Sequence, residues 1–224
     1  MFQSEQISIL ILTVLLSTLF YIVGTKLKKL DYKETPQGIA LLAVMYDEKF
    51  SDLTIQNMGE KHGKRMSAYI GSIFLYLFIS NISGLFGLPA PTSNYSVTFM
   101  MALITFIMIH HAKISANGFK GYIKGYFEPF APFVIPNIFG AISPLISLSL
   151  RMFGNILSGT VIMTLVYSFG AWLSSFVPVI GKFNFMGVIL APALHLYFDL
   201  FSGFLQAFLF ISLSTIMIGV EYSD

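Results

Sequence analysis

Residues 143–170 read SPLISLSLRMFGNILSGTVIMTLVYSFG, a long apolar run with a single permanent charge, Arg151, near its middle. The run belongs to a nearly continuous apolar stretch from about Phe130 to Val220. That stretch breaks once, near Val177 to Phe185, at Pro178, Gly181, Lys182 and Asn184. As single helices, residues 133–172 and 184–219 would reach about 60 Å and about 54 Å at 1.5 Å per residue. The hydrocarbon core of a bilayer is only about 30 Å thick. Pro136 and Pro144 are placed to break the first helix near its start, and Pro192 to kink the second. Two steeply tilted, kinked helices in a hairpin over residues 130–220 are the simplest reading. A pair of re-entrant segments is the alternative, and charge parity leaves it open.

Working outward, the composition assigns the class. Apolar residues make up 55% of the 224 and charged residues 11%, where a soluble domain carries about 25% charged. Three further apolar blocks stand out: Ile7 to Val23, Tyr69 to Leu88 and Val97 to Ile109. The expected fold is all-α. It is a polytopic membrane protein of five crossings in one integral membrane domain, 1–224, with the first crossing at 5–25 and the second and third within 66–112. Residues 34–60 carry Ile39, Leu42, Ala43, Tyr46 and Phe50 at helical spacing, with Asp47, Glu48 and Asp52 on other faces. This is the pattern of an amphipathic surface helix, either a plain connector or a contact for a partner.

Charge placement orients the chain. Every Lys and Arg except Arg151 and Lys182 falls within 26–65 or 113–128. With the N-terminus outside, both segments are cytoplasmic, as the positive-inside rule requires. Five crossings then leave Glu221 to Asp224 in the cytoplasm. No basic tail suits nucleic acid, no phosphate loop or nucleophile motif is present, and no metal-ligand cluster or cofactor motif appears. The chain has no Cys, which excludes disulfides and thiolate metal sites.

An Arg at mid-bilayer costs about 2.5–3.5 kcal/mol on insertion scales, so Arg151 needs a reason. At helical spacing Ser147, Arg151, Gly154, Asn155 and Ser158 share one stripe. The next helix carries His195, Asp199, Ser202, Gly203 and Gln206. An antiparallel pairing that sets Arg151 near Gln206 also sets Ser158 and Thr160 near Asp199. Asp and His accept and pass protons, whereas the guanidinium keeps its own. Such a seam is a proton route with a barrier in it. A buried Arg151–Asp199 ion pair and a merely packed His195 are the structural alternatives.

The segment Ser147-Leu-Ser-Leu-Arg-Met-Phe-Gly-Asn-Ile-Leu-Ser-Gly159 resembles the signature of subunit a of the F-type, rotary ATP synthase. Gly84-Leu-Phe-Gly-Leu-Pro89, Gly118-Phe-Lys-Gly121, Glu128-Pro129 and Leu205-Gln206-Ala207-Phe208 resemble further parts of that family, so the likeness covers about residues 66–220. The resemblance implies an essential stator arginine at Arg151, facing a ring of c subunits, with Asn155 beside it and Gln206 close to it. It implies two offset aqueous half-channels separated at the arginine. Its implied partners are the c-ring, the b subunits of the peripheral stalk, the remaining F1Fo complex and the lipid bilayer. The Phe-Gly-Asn form points to a bacterial plasma membrane. The sequence departs from the family where a Glu is common and Thr160 stands, and where His or Glu is common and Asp199 stands. Asp199 is then the remaining carboxylate in the middle of the hairpin, with His195 one turn away, and either could dominate the outer half-channel. Expected path residues are Asp199, His195, Gln206, Asn155, Ser158, Thr160 and Ser202. A self-contained channel or transporter and a purely structural subunit are the competing classes. H+ against Na+ stays open, because the ion ligands of the family lie largely on the c subunit.

Overall fold

The computed structural model of the chain describes residues 4–29, 36–176 and 184–222. Helices dominate, and no strand occurs among the described residues. In chain order they are α1 (Ser4–Lys28), α2 (Ile39–Ile82), α3 (Tyr95–Gly125), α4 (Val134–Ser174), α5 (Phe185–His195), a π-helical segment (Leu196–Phe201) and α6 (Ser202–Val220). Five spans are long and apolar enough to cross a membrane: Glu5–Lys28, Ile39–Phe86, Tyr95–Gly125, Ala131–Ser174 and Gly187–Val220. The expected all-α, five-crossing architecture is what the chain adopts. The expected break around Pro178 and Lys182 lies outside the described residues, as do residues 34 and 35 of the expected surface helix.

Two glycines redirect the chain. Gly59 (φ 76°, ψ 166°) splits α2 into an arm of residues 39–58 and one of 60–82, and Gly118 (φ 68°, ψ 164°) bends the end of α3. Positive φ is open to Gly at little steric cost, so an otherwise helical run turns at these points. The first arm of α2 corresponds to the amphipathic segment read from the sequence. It folds back tightly on the second arm: a Cβ on Gly63 would lie 2.6 Å from the Ile55 Cα, and Thr54 Oγ1 donates to the Gly63 carbonyl at 3.0 Å.

α4 is one continuous helix, so the re-entrant alternative is not what this hairpin does. Its 41 residues reach about 60 Å, twice the hydrocarbon thickness. Pro136 falls in the first turn, where a missing N–H loses nothing, and Pro144 lies inside the helix.

The core forms where the second arm of α2, α3, α4 and α6 meet, around Ile70, Leu77, Ala102, Leu148, Met152, Ala207, Phe210 and Ile211. Small residues let backbones approach there, as expected where helices pack without a water-driven force between them. At the other end of α6, Gly219 lies flush on the Asn57 carbonyl, and Asn57 Nδ2 donates to Thr215 Oγ1 at 3.0 Å. Lys113 pairs with Glu221 at 3.6 Å, and the Tyr222 ring stacks on His62 at 3.8 Å. These contacts pin the C-terminal end of α6 between the two arms of α2 and the far end of α3.

Any side chain at position 219 must displace backbone, the kind of overpacking that costs about 1–3 kcal/mol. Gly219→Ala should lower the midpoint of heat denaturation of the detergent-solubilised protein. Gly24→Ala, with nothing within 4 Å of the new Cβ, should leave it level or slightly higher. Equal midpoints for the two variants would mean that α6 does not rest on the surface arm.

Candidate functional site

Arg151 lies on an exposed face of α4 together with Leu150, Leu157 and Ser158, while Leu148, Ser149 and Met152 point into the core. Its guanidinium donates to Ser147 Oγ, one turn back, at 3.3 Å. Among the described residues no carboxylate pairs with it, and no hydrogen bond joins it to Gln206. The Arg151–Asp199 ion pair is therefore not formed.

The opposite side of the hairpin packs antiparallel to α4. Ser202 Oγ donates to Asn155 Oδ1 at 2.8 Å, and Gly159 lies against the Phe198 ring. Further along, the Tyr167 hydroxyl lies 3.1 Å from His195 Nε2, and Asn184 Nδ2 donates to the Tyr167 carbonyl at 3.0 Å. The residue numbers rise on one helix as they fall on the other. Asn155 opposite Ser202 gives the register in which Arg151 and Gln206 stand at the same level.

Asp199 sits within the π-helical segment, which begins one turn after Pro192. Proline removes a helical N–H and crowds the preceding turn, and a widened turn is one way for the chain to absorb it; such segments often accompany functional positions. Here the widened turn leaves the Asp199 carboxylate 2.5 Å from His195 Nδ1. The segment is anchored where it passes into α6. Buried Asn81, near the end of α2, donates through Nδ2 to the Gly203 carbonyl at 3.0 Å and accepts from Thr92 Oγ1 at 2.8 Å. A Cβ on Gly203 would be 3.0 Å from that of Asn81, so only Gly admits the approach without a shift.

These pieces border a cavity of about 420 Å³, whose polar lining includes Asn155, Thr160, Thr164, Tyr167, His195 and Asp199. The connection between α2 and α3 also lines it, through Gly84, Pro89 and Ser93. Larger grooves elsewhere are more apolar, although one beside the far end of α3 holds His110, His111, Tyr122 and Tyr126. At 100° per residue, the cavity face of α4 is centred about 130° round the helix from Arg151.

The polar stripe read from the sequence is consequently divided between two faces. Asn155, Thr160, His195 and Asp199 gather in the cavity, with Ser202 bonded to Asn155. Ser158 stays on the exposed face with Arg151. Gln206 is buried, and its amide nitrogen has no hydrogen-bond partner. Tyr167, Asn81 and Thr164 were not singled out by sequence reading. Tyr167 was within reach of it, because it continues the every-fourth-residue row Asn155, Gly159 and Met163.

Comparison with known proteins agrees with this architecture. The family described as ATP synthase A chain matches residues 6–219. The ATP synthase subunit a of Mycoplasmoides gallisepticum is 35% identical over 92% of this chain and 72% of its own length. That of Mycoplasma genitalium is 36% identical over 93% and 75%. The sodium-ion-specific ATP synthase subunit a of Propionigenium modestum is 35% identical over 72% of this chain and 56% of its own. A match running from the first crossing to the end of α6, around an unpaired arginine and a polar cavity, places this chain in the ATP synthase subunit a family.

Proposed function

We propose that this chain is the proton-translocating stator subunit of the Fo sector, and that Arg151 separates two half-channels. The observation that carries the reading is the division of polar groups on α4. A cavity with titratable groups lies on one side of α4, while Arg151, without a counter-ion among the described residues, faces outward on another side of the same helix. A membrane-embedded charge usually faces protein or a water-filled path. Arg151 has no such partner among the described residues, so a carboxylate on another subunit, the c-ring, is its fitting neighbour. The exposed apolar residues around it, Leu150 and Leu157 among them, suit packing against that ring.

In this reading the cavity is the outer half-channel. Ions enter past the Gly84–Ser93 rim, reach His195 and Asp199, and neutralise a ring carboxylate as it arrives. After rotation the carboxylate meets Arg151, gives up its proton to the inner path and pairs with the guanidinium. Gly154 leaves room for the ring helix, and Asn155, held by Ser202, borders the two faces of α4. Each charge that crosses contributes about 2.3 kcal/mol per 100 mV. Protons suit the His195–Asp199 pair, since both groups accept and release them. The described basic residues of 26–65 and 113–124 belong to the end remote from the cavity. The positive-inside rule makes that end cytoplasmic, with the N-terminus outside, the C-terminus cytoplasmic and the chain in a bacterial plasma membrane. The b subunits of the peripheral stalk would hold the chain against the ring's rotation.

Loss of charge at Arg151 tests the central claim. In vesicles containing the assembled complex, Arg151→Ala should abolish gradient-driven ATP synthesis and raise passive proton leak. Arg151→Lys should abolish synthesis too, because Lys lacks the planar fork and loses its proton more readily when desolvated. Normal synthesis by Arg151→Ala would remove the reading; normal synthesis by Arg151→Lys would show that any cation suffices. For the cavity, Asp199→Ala should slow ATP-driven pumping by about 10²-fold or more, the scale of a general acid–base group. Asp199→Glu should keep part of it, and a native gel should show both variants assembled. An unchanged pumping rate in Asp199→Ala would make the residue structural. Cysteines at Thr160 and Thr164 should react with silver ion from the cavity side, whereas one at Leu165, exposed on the apolar face, should not. Equal labelling at all three would sink the assignment of faces.

A further inference from the structure

The geometry points to Tyr167 as the entry member of a three-residue proton relay, Tyr167 to His195 to Asp199. This rests on reading the cavity as the outer half-channel. The three side chains come from different parts of the hairpin: α4, the end of α5 and the π-helical segment. They form one unbroken line, from the Tyr167 hydroxyl to His195 Nε2 at 3.1 Å and from His195 Nδ1 to Asp199 Oδ2 at 2.5 Å. All three line the same cavity, and among its described lining residues they are the titratable groups. The elements that face His195 from elsewhere contribute Asn81, Ser93, Thr160 and Thr164, none of which titrates in the working range.

The donor pattern gives the line a direction. Ionised Asp199 can only accept, so the neutral imidazole carries its proton on Nδ1 and leaves a lone pair on Nε2. A lone pair needs a donor, and the Tyr167 O–H is the one placed to supply it. The phenol oxygen then keeps its own lone pairs for water in the cavity. A proton delivered by that water bonds to the phenol oxygen as the original hydroxyl proton moves to Nε2. The Nδ1 proton passes to Asp199 Oδ2. One proton has entered, one O–H bond has formed on Asp199, the phenol is restored, and the imidazole is neutral in its other tautomer. The His195 side chain is 40% exposed, so exchange with cavity water returns the ring to its starting tautomer.

A second contact holds the backbone that carries the phenol. Asn184 accepts from the Gly187 N–H at the start of α5 and donates to the Tyr167 carbonyl. The residue that caps α5 thereby ties the α4 turn bearing Tyr167 to the helix bearing His195. A side chain held only for packing would not require its hydroxyl to end on a ring nitrogen.

The test uses the whole complex in vesicles, with ATP synthesis measured against external pH at fixed internal pH and fixed membrane potential. Tyr167→Phe keeps the ring and removes the hydroxyl. Its half-maximal external pH should move about one unit towards acid, the tenfold loss expected when a held hydroxyl gives way to mobile water. The maximal rate at acid pH and the assembled complex on a native gel should both be retained. A lower rate at every pH with the midpoint unchanged would overturn the relay and leave Tyr167 a packing residue, and so would a wild-type profile. Asp199→Ala, run alongside, separates the two readings. If it synthesises normally, the cavity is not the half-channel. If it is dead while Tyr167→Phe is normal, only the relay fails.

Discussion

A guanidinium in an apolar helix has to be satisfied, and among the described residues Arg151 finds no counter-ion. Its partner is a serine hydroxyl one turn away, a contact far too weak to offset removal of a full charge from water. Two polar groups of the hairpin that could approach it are engaged elsewhere. Asp199, the nearest candidate by sequence logic, is instead held by His195. Asn155, next to the arginine on the helix, is held by Ser202. The fold thus keeps its one mid-helix cation and its one mid-hairpin carboxylate on different faces of α4, and that separation is what a barrier between two half-channels needs.

Keeping them apart depends on backbone devices. An ideal helix through residues 185–220 would give His195 and Asp199 a fixed place on one stripe. The π-helical segment widens that stripe, and Asn81 anchors its end by bonding the Gly203 carbonyl and Thr92 together. The connection between α2 and α3 and the start of α6 are therefore joined through one buried amide. Backbone irregularity at membrane depth is tolerated where protein or a cavity covers it, and here both do. Gly59 and Gly118 serve at the other end, where the surface arm of α2 receives the end of α6.

The departures of this sequence from the family pattern also acquire a physical sense. Thr160 stands where a carboxylate is common, and Thr160 lines the cavity. That cavity still holds a carboxylate, Asp199, within reach of an imidazole and, beyond it, a phenol. Gln206 is a different case. It is buried with an unpartnered amide nitrogen, and a buried unpaired donor costs about 1–3 kcal/mol. A neighbouring subunit or solvent reaching it would recover that loss.

The sequence by itself determined the solvent in which this chain folds. Composition, block lengths and the clustering of Lys and Arg gave five crossings, because these features depend only on what each segment can leave in hydrocarbon. It also marked Arg151, Asp199 and His195, since a charge in an apolar helix needs no partner to be conspicuous. Helical periodicity allowed an antiparallel pairing with Arg151 level with Gln206, and the Asn155–Ser202 bond has that register. What periodicity cannot decide is which of two adjacent rows on a helix a neighbouring helix covers. Only the tertiary structure turned Asn155 and Thr160 towards the cavity and Ser158 outward with Arg151. The same holds for Tyr167 and Asn81. Each is an unremarked residue on its own helix, and each becomes specific through hydrogen bonds to residues 28 and 122 positions away, which no local pattern encodes.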